Sequence, residues 1–324
     1  MKPIRTDLRV VTVVTLAVLV VAVSVRAMST DQSHLARLDD FERRAGVDVG
    51  PESPWFAAGL GGDADLYAII AVDPAGEGPG RRIFAPSYRY ARAGYSWIAW
   101  SLAAGQPKWV LLGLSLTGAL ALAATTVMAL RLSDELGYRA MLLLLNPALY
   151  VGFLYDTAEP LAIALLTLAF TGGSFLAVLA LSIVRPSYMV GLVPLWTRFL
   201  IGLTAAIGFR LYWVGHFGDA LFGGSWNFAL PFMGVASTPS VTGVLVTAAG
   251  LYTVVRGGAH RDIGWILAGL MVCSLSEIVY DTPINAVRAA GLLPVLWTFG
   301  PGHLRKLRST LQLSRSAQSA QSAA

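Results

Sequence analysis

The chain has 324 residues, of which 55% are hydrophobic and 13% charged, with a formal net charge of +5 and a mean hydropathy of +0.62. A soluble globular domain carries about 25% charged residues, so the composition excludes an ordinary soluble enzyme and points to a chain embedded in lipid. The excess of Lys and Arg does not call for nucleic acid, because short cytoplasmic loops of membrane proteins collect basic residues; no nucleic-acid partner is expected.

The N-terminus carries Lys2, Arg5 and Arg9, then an unbroken apolar run over 10–25 followed by Arg26. The run is long for a signal-peptide core and no clean small-residue cleavage site follows, so residues 1–27 read as an uncleaved transmembrane anchor. A polar stretch rich in Gly and Pro covers 28–108, a long first extracytoplasmic loop. Within it, 35–42 has the pattern of a surface helix. The segment 95–104 is too short to cross a bilayer, which takes about 20 residues. It reads as an interfacial helix with Trp97 and Trp100 at headgroup depth.

Apolar runs then recur at 109–130, 140–154, 160–170, 174–184, 188–196, 199–214, 241–255, 263–279 and 287–299. Lipid admits only helices or closed barrels, and these runs lack a barrel's alternation. The expected fold class is all-α: a polytopic transmembrane helical bundle over 109–300. It has about ten membrane segments, several of them short or half helices lining a cavity. Residues 301–324 read as a basic, disordered cytoplasmic tail.

Loop charges orient this scheme. Arg131 and Arg139, Arg198, Arg256 and Arg261, and the tail with Arg305, Lys306, Arg308 and Arg315 fall on one side. That side is the cytoplasm by the positive-inside bias, with both termini inside. The opposite face holds Asp63, Asp65, Asp73, Arg89, Arg92, Asp156, Glu159, Arg185, Arg210, His216, Asp219, Glu277, Asp281 and Arg288. Ionisable groups at one mouth of an apolar bundle are costly to hold, which makes them candidates for a working site. A planar guanidinium donates two parallel hydrogen bonds to phosphate, and a carboxylate can take the proton of an incoming hydroxyl. An anionic headgroup on a lipid tail fits that combination.

Each residue also has a plain structural reading. Asp63 can be a solvated acid in a Gly-rich turn, and Asp73-Pro74 a turn starter. Asp156 and Glu159 can cap the helix that opens at Pro160. Arg89 and Arg92 can bind headgroups, and Arg185 and Arg210 can snorkel. Glu277 can be a buried partner for Arg288. The four histidines are scattered without ligand spacing, so no transition-metal centre is expected. The single Cys273 forms no internal disulfide. Gly223-Gly224 and Gly257-Gly258 read as loop glycines, and no phosphate-binding G-x-x-x-x-G-K-[ST] is present.

The pattern resembles a family. Gly61-Gly62-Asp63-Ala64-Asp65-Leu66-Tyr67, Asp73-Pro74 and Tyr88-Arg89-Tyr90-Ala91-Arg92-Ala93-Gly94-Tyr95 are similar to the first-loop signature of GT-C type membrane glycosyltransferases. More narrowly, they resemble bacterial cell-surface glycopolymer formation proteins related to the GPI-mannosyltransferase type. Leu145-Asn146-Pro147, Asp156-Thr157-Ala158-Glu159-Pro160, Val184-Arg185-Pro186-Ser187, Pro231-Phe232-Met233-Gly234 and Asn285-Ala286-Val287-Arg288 continue the likeness across 60–300.

The resemblance implies transfer of a sugar from a polyprenyl-phosphate donor to a cell-envelope glycan or lipid acceptor, with inversion at the anomeric carbon. It implies a plasma-membrane enzyme whose active site is extracytoplasmic. By position Asp63 is the implied catalytic base. Asp65, Asp73, Arg89, Arg92, Asp156, Glu159, Arg185 and Arg288 are the implied donor- or acceptor-binding residues. No cofactor and no metal ligand set is implied, which leaves room for a divalent cation without requiring one. Two other classes stay open: a transporter or flippase of lipid-linked sugars, and a non-catalytic scaffold of glycopolymer assembly. The scaffold draws on Pro186, which stands where the family often has an acid.

Overall fold

The computed structural model describes residues 8–50, 53–171, 174–193, 195–219, 232–237, 240–275, 279 and 282–301. The basic tail over 302–324, the pair Gly223-Gly224, Pro231, Glu277 and Asp281 lie outside the described residues. Among the described residues the fold is all-helical, without a sheet. Four stretches of the described residues are long and apolar enough to cross a membrane: Arg9–Met28, Pro107–Leu142, Trp196–Phe217 and Val241–His260. The chain is thus built as a multi-pass membrane protein.

The helices in chain order are α1 (Leu8–Met28), α2 (Ser33–Ala45), α3 (Pro54–Ala57), α4 (Asp63–Val72), α5 (Pro86–Tyr90), α6 (Gly94–Leu102), α7 (Val110–Leu136) and α8 (Pro147–Leu154). They continue as α9 (Glu159–Thr171), α10 (Phe175–Val184), α11 (Trp196–Phe217), α12 (Met233–Ser237), α13 (Val241–His260), α14 (Ile263–Cys273), α15 (Pro283–Ala289) and α16 (Leu292–Phe299). The surface helix expected over 35–42 lies within α2, which buries His34, Leu38, Phe41 and Ala45 along one face.

Burial separates the long helices by role. The apolar window of the α7 stretch is 61% buried, against 17% for α1 and 11% for α11. α7 is therefore the central post, while α1 and α11 turn large apolar side chains such as Leu16, Val20, Ile207 and Leu211 outward, where acyl chains can cover them. α6 lies along α7, with Tyr95 donating to the Leu114 carbonyl at 2.8 Å. Trp97 corrects the expectation of a headgroup anchor. It packs edge-on to Phe209 of α11 with ring centroids 5.3 Å apart, so it joins helices. Trp100 is the outward-facing one.

The shorter apolar runs break where the sequence places helix punctuation. Asn146 caps α8, accepting from the Ala148 amide at 3.1 Å with Pro147 in the first turn, so 140–154 divides into a 3-10 segment and α8. Pro186 opens a 3-10 segment over Pro186–Leu192 and a new helix starts at Trp196, which divides 188–196. The run 287–299 falls into α15 and α16. At 13 residues or fewer, α9, α10 and α14 also stop short of the roughly 20 residues that cross a bilayer alone.

Gly257-Gly258 corrects a second expectation, because both lie inside α13 rather than in a loop. α13 and α14 form a close hairpin. A Cβ on Gly250 would stand 3.0 Å from the Gly269 carbonyl oxygen, and one on Gly269 would stand 2.5 Å from that of Gly250. Small residues facing each other are how membrane helices gain packing contact where apolar burial alone does not favour helix over lipid.

Candidate functional site

The site forms where the first turns of α4 and α9 meet α5, α15 and the segment at Arg185. Gly61 and Gly62 take positive φ values of 127° and 58°, a conformation that favours glycine. The turn they make delivers Asp63 as the first residue of α4. The Asp65 carboxylate accepts from the Gly61 amide at 2.7 Å and closes that turn. An acid at a helix N-terminus is favoured by the helix dipole. Glu159 stands in the same position on α9.

Asp63 is clamped by two arginines from distant parts of the chain. Arg89 Nη1 donates to Oδ1 at 2.9 Å and Arg288 Nη2 to Oδ2 at 2.9 Å. Arg288 then reaches the fully buried Glu159, with Nε 3.1 Å from Oε1, and Arg185 Nη2 stands 3.0 Å from the same oxygen. Those two contacts hold Glu159 by charge rather than by aligned hydrogen bonds. Arg288 thus bridges both carboxylates. Its backbone is pinned from outside the site: Tyr188 donates to its carbonyl at 3.1 Å, and Asn146 Nδ2 donates to the Gly291 carbonyl at 2.7 Å. Arg92 stacks 4.2 Å over the Tyr88 ring, and among the described residues no carboxylate pairs with it.

These groups open on a cavity of about 660 Å³. Its lining mixes Asp63, Arg37, Arg89, Arg92, Arg185 and Arg288 with the apolar side chains of Leu66, Met271, Leu275, Val279 and Ile284. Among the described residues the lining therefore holds five guanidinium groups against one carboxylate, and Glu159 behind it adds a second. Burial pushes the Asp63 carboxyl up, but Arg288, Arg89, Arg92 and Arg185 outweigh it and hold the group well below the usual carboxylate range.

The sequence-derived candidates divide into two groups. Asp63, Arg89, Arg92, Arg185 and Arg288 line the cavity, with Glu159 directly behind them. Asp65, Asp73 and Asp156 are absent from that lining. Asp65 pairs with Arg44 at 2.6 Å besides closing the Gly61 turn. Asp73 is a loop organiser whose carboxylate accepts from the Glu77, Gly78 and Gly80 amides at 3.1, 2.8 and 2.9 Å. Asp156 is buried against Arg26.

Sequence reasoning passed over Arg37, Tyr155 and Asn285 as lining residues. Arg37 projects from the surface helix α2 and donates to the Leu60 carbonyl at 3.3 Å, a contact that no local pattern signals. Tyr155 adjoins the Asp156–Pro160 motif and Asn285 opens the Asn285–Arg288 motif, which was the available clue. Among the described residues no group of three or more His, Cys, Asp or Glu is placed to hold a metal ion. No protein-family model, curated protein or solved structure matches the chain.

Proposed function

We propose that the protein is a GT-C type membrane glycosyltransferase that moves a sugar from a polyprenyl-phosphate donor to a cell-envelope acceptor on the extracytoplasmic side. The observation that carries this reading is one cavity lined both by the arginines around Asp63 and by the apolar side chains of Leu66, Met271, Leu275, Val279 and Ile284. An amphiphile with an anionic head fits that pairing, the phosphate on the guanidinium forks and the isoprenoid chain along the apolar side chains. The orientation follows the loop charges, since Arg131, Arg139, Arg256 and Arg261 lie at helix ends away from the cavity lining.

In the proposed reaction the acceptor hydroxyl attacks the anomeric carbon. A carbon–oxygen bond forms there as the bond from that carbon to the phosphate oxygen breaks. The hydroxyl proton passes to Asp63. The lipid phosphate leaves with the bonding electron pair and gains a negative charge, which Arg89, Arg92 and Arg185 stabilise as fixed donors in a partly dry site. While it holds two arginines Asp63 is a weak base. Drawing Arg89 or Arg288 toward the arriving phosphate raises its basicity as the acceptor proton must leave. Glu159 keeps Arg185 and Arg288 in place throughout.

The test is transfer by the purified full-length protein in lipid nanodiscs supplied with polyprenyl-phosphate sugars labelled in the sugar. Release of polyprenyl phosphate that depends on an acceptor, and is lost in Asp63→Asn, supports the reading. Binding of the lipid without turnover in any acceptor mixture, unchanged by Asp63→Asn, overturns it.

A further inference from the structure

Arg26 has no part in the chemistry above, yet it is fully buried near the end of α1. Its guanidinium grips Asp156 with two prongs, Nη1 to Oδ1 at 2.8 Å and Nη2 to Oδ2 at 2.7 Å. Nη1 also donates to the Phe153 carbonyl at 2.9 Å and Nη2 to the Trp55 carbonyl at 3.4 Å, and the group lies 4.7 Å over the Trp55 ring. Ser115 of α7 reaches the same carboxylate at 3.3 Å. Gly59 makes room for it: a Cβ there would stand 1.9 Å from Asp156 Oδ2. Four separate stretches of chain therefore converge on one buried ion pair.

Desolvation offsets much of the attraction in such a pair, so its presence says little about net stability; breaking it leaves a bare charge inside. Its effect lies in the arrangement it imposes. Asp156 has φ 45°, left-handed backbone that a non-glycine residue keeps only when its surroundings enforce it. The residues on either side, Tyr155 and Thr157, both line the cavity, and Glu159 opens α9 three residues later. The membrane anchor thus ends in a clamp on the turn that builds one side of the site.

We propose that Arg26 is a positioning residue. Its grip on Asp156 holds the 155–159 turn in the strained form that presents Tyr155 and Thr157 to the cavity and sets Glu159 against Arg185 and Arg288. In this arrangement α1 is a structural member of the site, and loss of α1 would strand the Asp156 carboxylate. Only the activity arm of the test below rests on the proposed glycosyl transfer.

Cys273 is the sole cysteine, so a Cys273→Ser background lets one engineered thiol report the turn. Tyr155 is 37% exposed and serves as the probe position as Tyr155→Cys, with the exposed Gln106→Cys as a remote control. The full-length protein in nanodiscs is treated with a maleimide. Arg26→Gln is expected to change the labelling rate at the turn by about fivefold or more while leaving the control within about twofold, and adding Asp156→Asn to Arg26→Gln is expected to leave the turn moved, because the grip is still missing although no charge is stranded. A turn rate within about twofold of the parent in Arg26→Gln, or an equal change at both probes, overturns the proposal, because the latter marks general loosening. If Arg26→Gln fails to give a monodisperse protein, Asp156→Asn is read against the same limits.

The activity arm separates the two readings. Arg26→Gln is expected to lower lipid-phosphate release by about tenfold or more. A moved turn in a protein that releases no lipid phosphate with any acceptor sinks glycosyl transfer and leaves positioning standing. An unmoved turn and full activity in Arg26→Gln, beside a dead Asp63→Asn, does the reverse.

Discussion

Arg288 is the residue on which the site's charges depend, because it touches both Asp63 and the fully buried Glu159. Removing one partner of a buried pair leaves an uncompensated charge and costs about 3–5 kcal/mol, so Arg288→Ala should lower the unfolding midpoint in detergent sharply. Arg288→Lys keeps a charge but cannot present two forks at once, and it should recover part of the midpoint. Equal midpoints for wild type and Arg288→Ala would contradict the bridging role.

The acid response follows from Asp63. Its folded carboxyl lies below the ordinary value of 3.8, so its stabilising pairs are complete above that value and are lost as pH falls through the folded one. The stability gap between wild type and Asp63→Asn should therefore hold constant from about pH 8 down to about pH 5 and narrow only in stronger acid. A gap that closes near neutrality would contradict the clamp.

At this scale the sequence was readable where an ionisable residue interrupts apolar surroundings. Glu159, Arg185 and Arg288 stand out for that reason, whereas Asp63, in a glycine-rich turn, stood out only through the family resemblance. The sequence did not separate Asp65 and Asp73, which accept the free amides of their glycine-rich turns, from the acids that line the cavity. Arg26 and Asp156 are 130 residues apart, and a pairing at that separation leaves no local trace in a single sequence.

Among the elements, the α13–α14 hairpin depends on glycine contacts. Gly250 and Gly269 face each other's carbonyls too closely for a side chain. Overpacking of such a contact costs about 1–3 kcal/mol, so Gly269→Val should lower the unfolding midpoint, while Gly258→Ala, which meets open space, should leave it unchanged or slightly raise it. Equal effects would show that the hairpin is not close-packed. The long apolar helices were legible from length and hydropathy alone. The shorter runs were legible as apolar but not as elements, because breaks such as those at Asn146-Pro147 and at Ala290-Gly291 divide them into pieces whose packing is decided by distant partners. Gly257-Gly258 shows the same limit: paired glycines read as a loop unless the helix packed against them is known.

For the whole molecule, the all-helical, multi-pass architecture follows from composition, since lipid leaves few other choices for so apolar a chain. The orientation proposed for it rests on Arg131, Arg139, Arg256 and Arg261. Single cysteines in the Cys273→Ser background test it directly: an impermeant maleimide added to intact cells should label Gly62→Cys and leave Ser133→Cys unlabelled, and the opposite pattern would invert the scheme. A charged cavity was expected from the sequence, but its lining was not legible, because it is assembled from α2, α4, α5, α14, α15 and the segments at Tyr155 and Arg185, and only the fold brings them together.

The most direct test of the central claim is the envelope glycan and lipid profile of a strain lacking this gene, restored with wild type or with Asp63→Asn at matched abundance in the membrane. A sugar transferase that uses Asp63 predicts that wild type returns a missing glycan and Asp63→Asn does not, with the unused lipid-linked sugar accumulating. Full restoration by Asp63→Asn would contradict it.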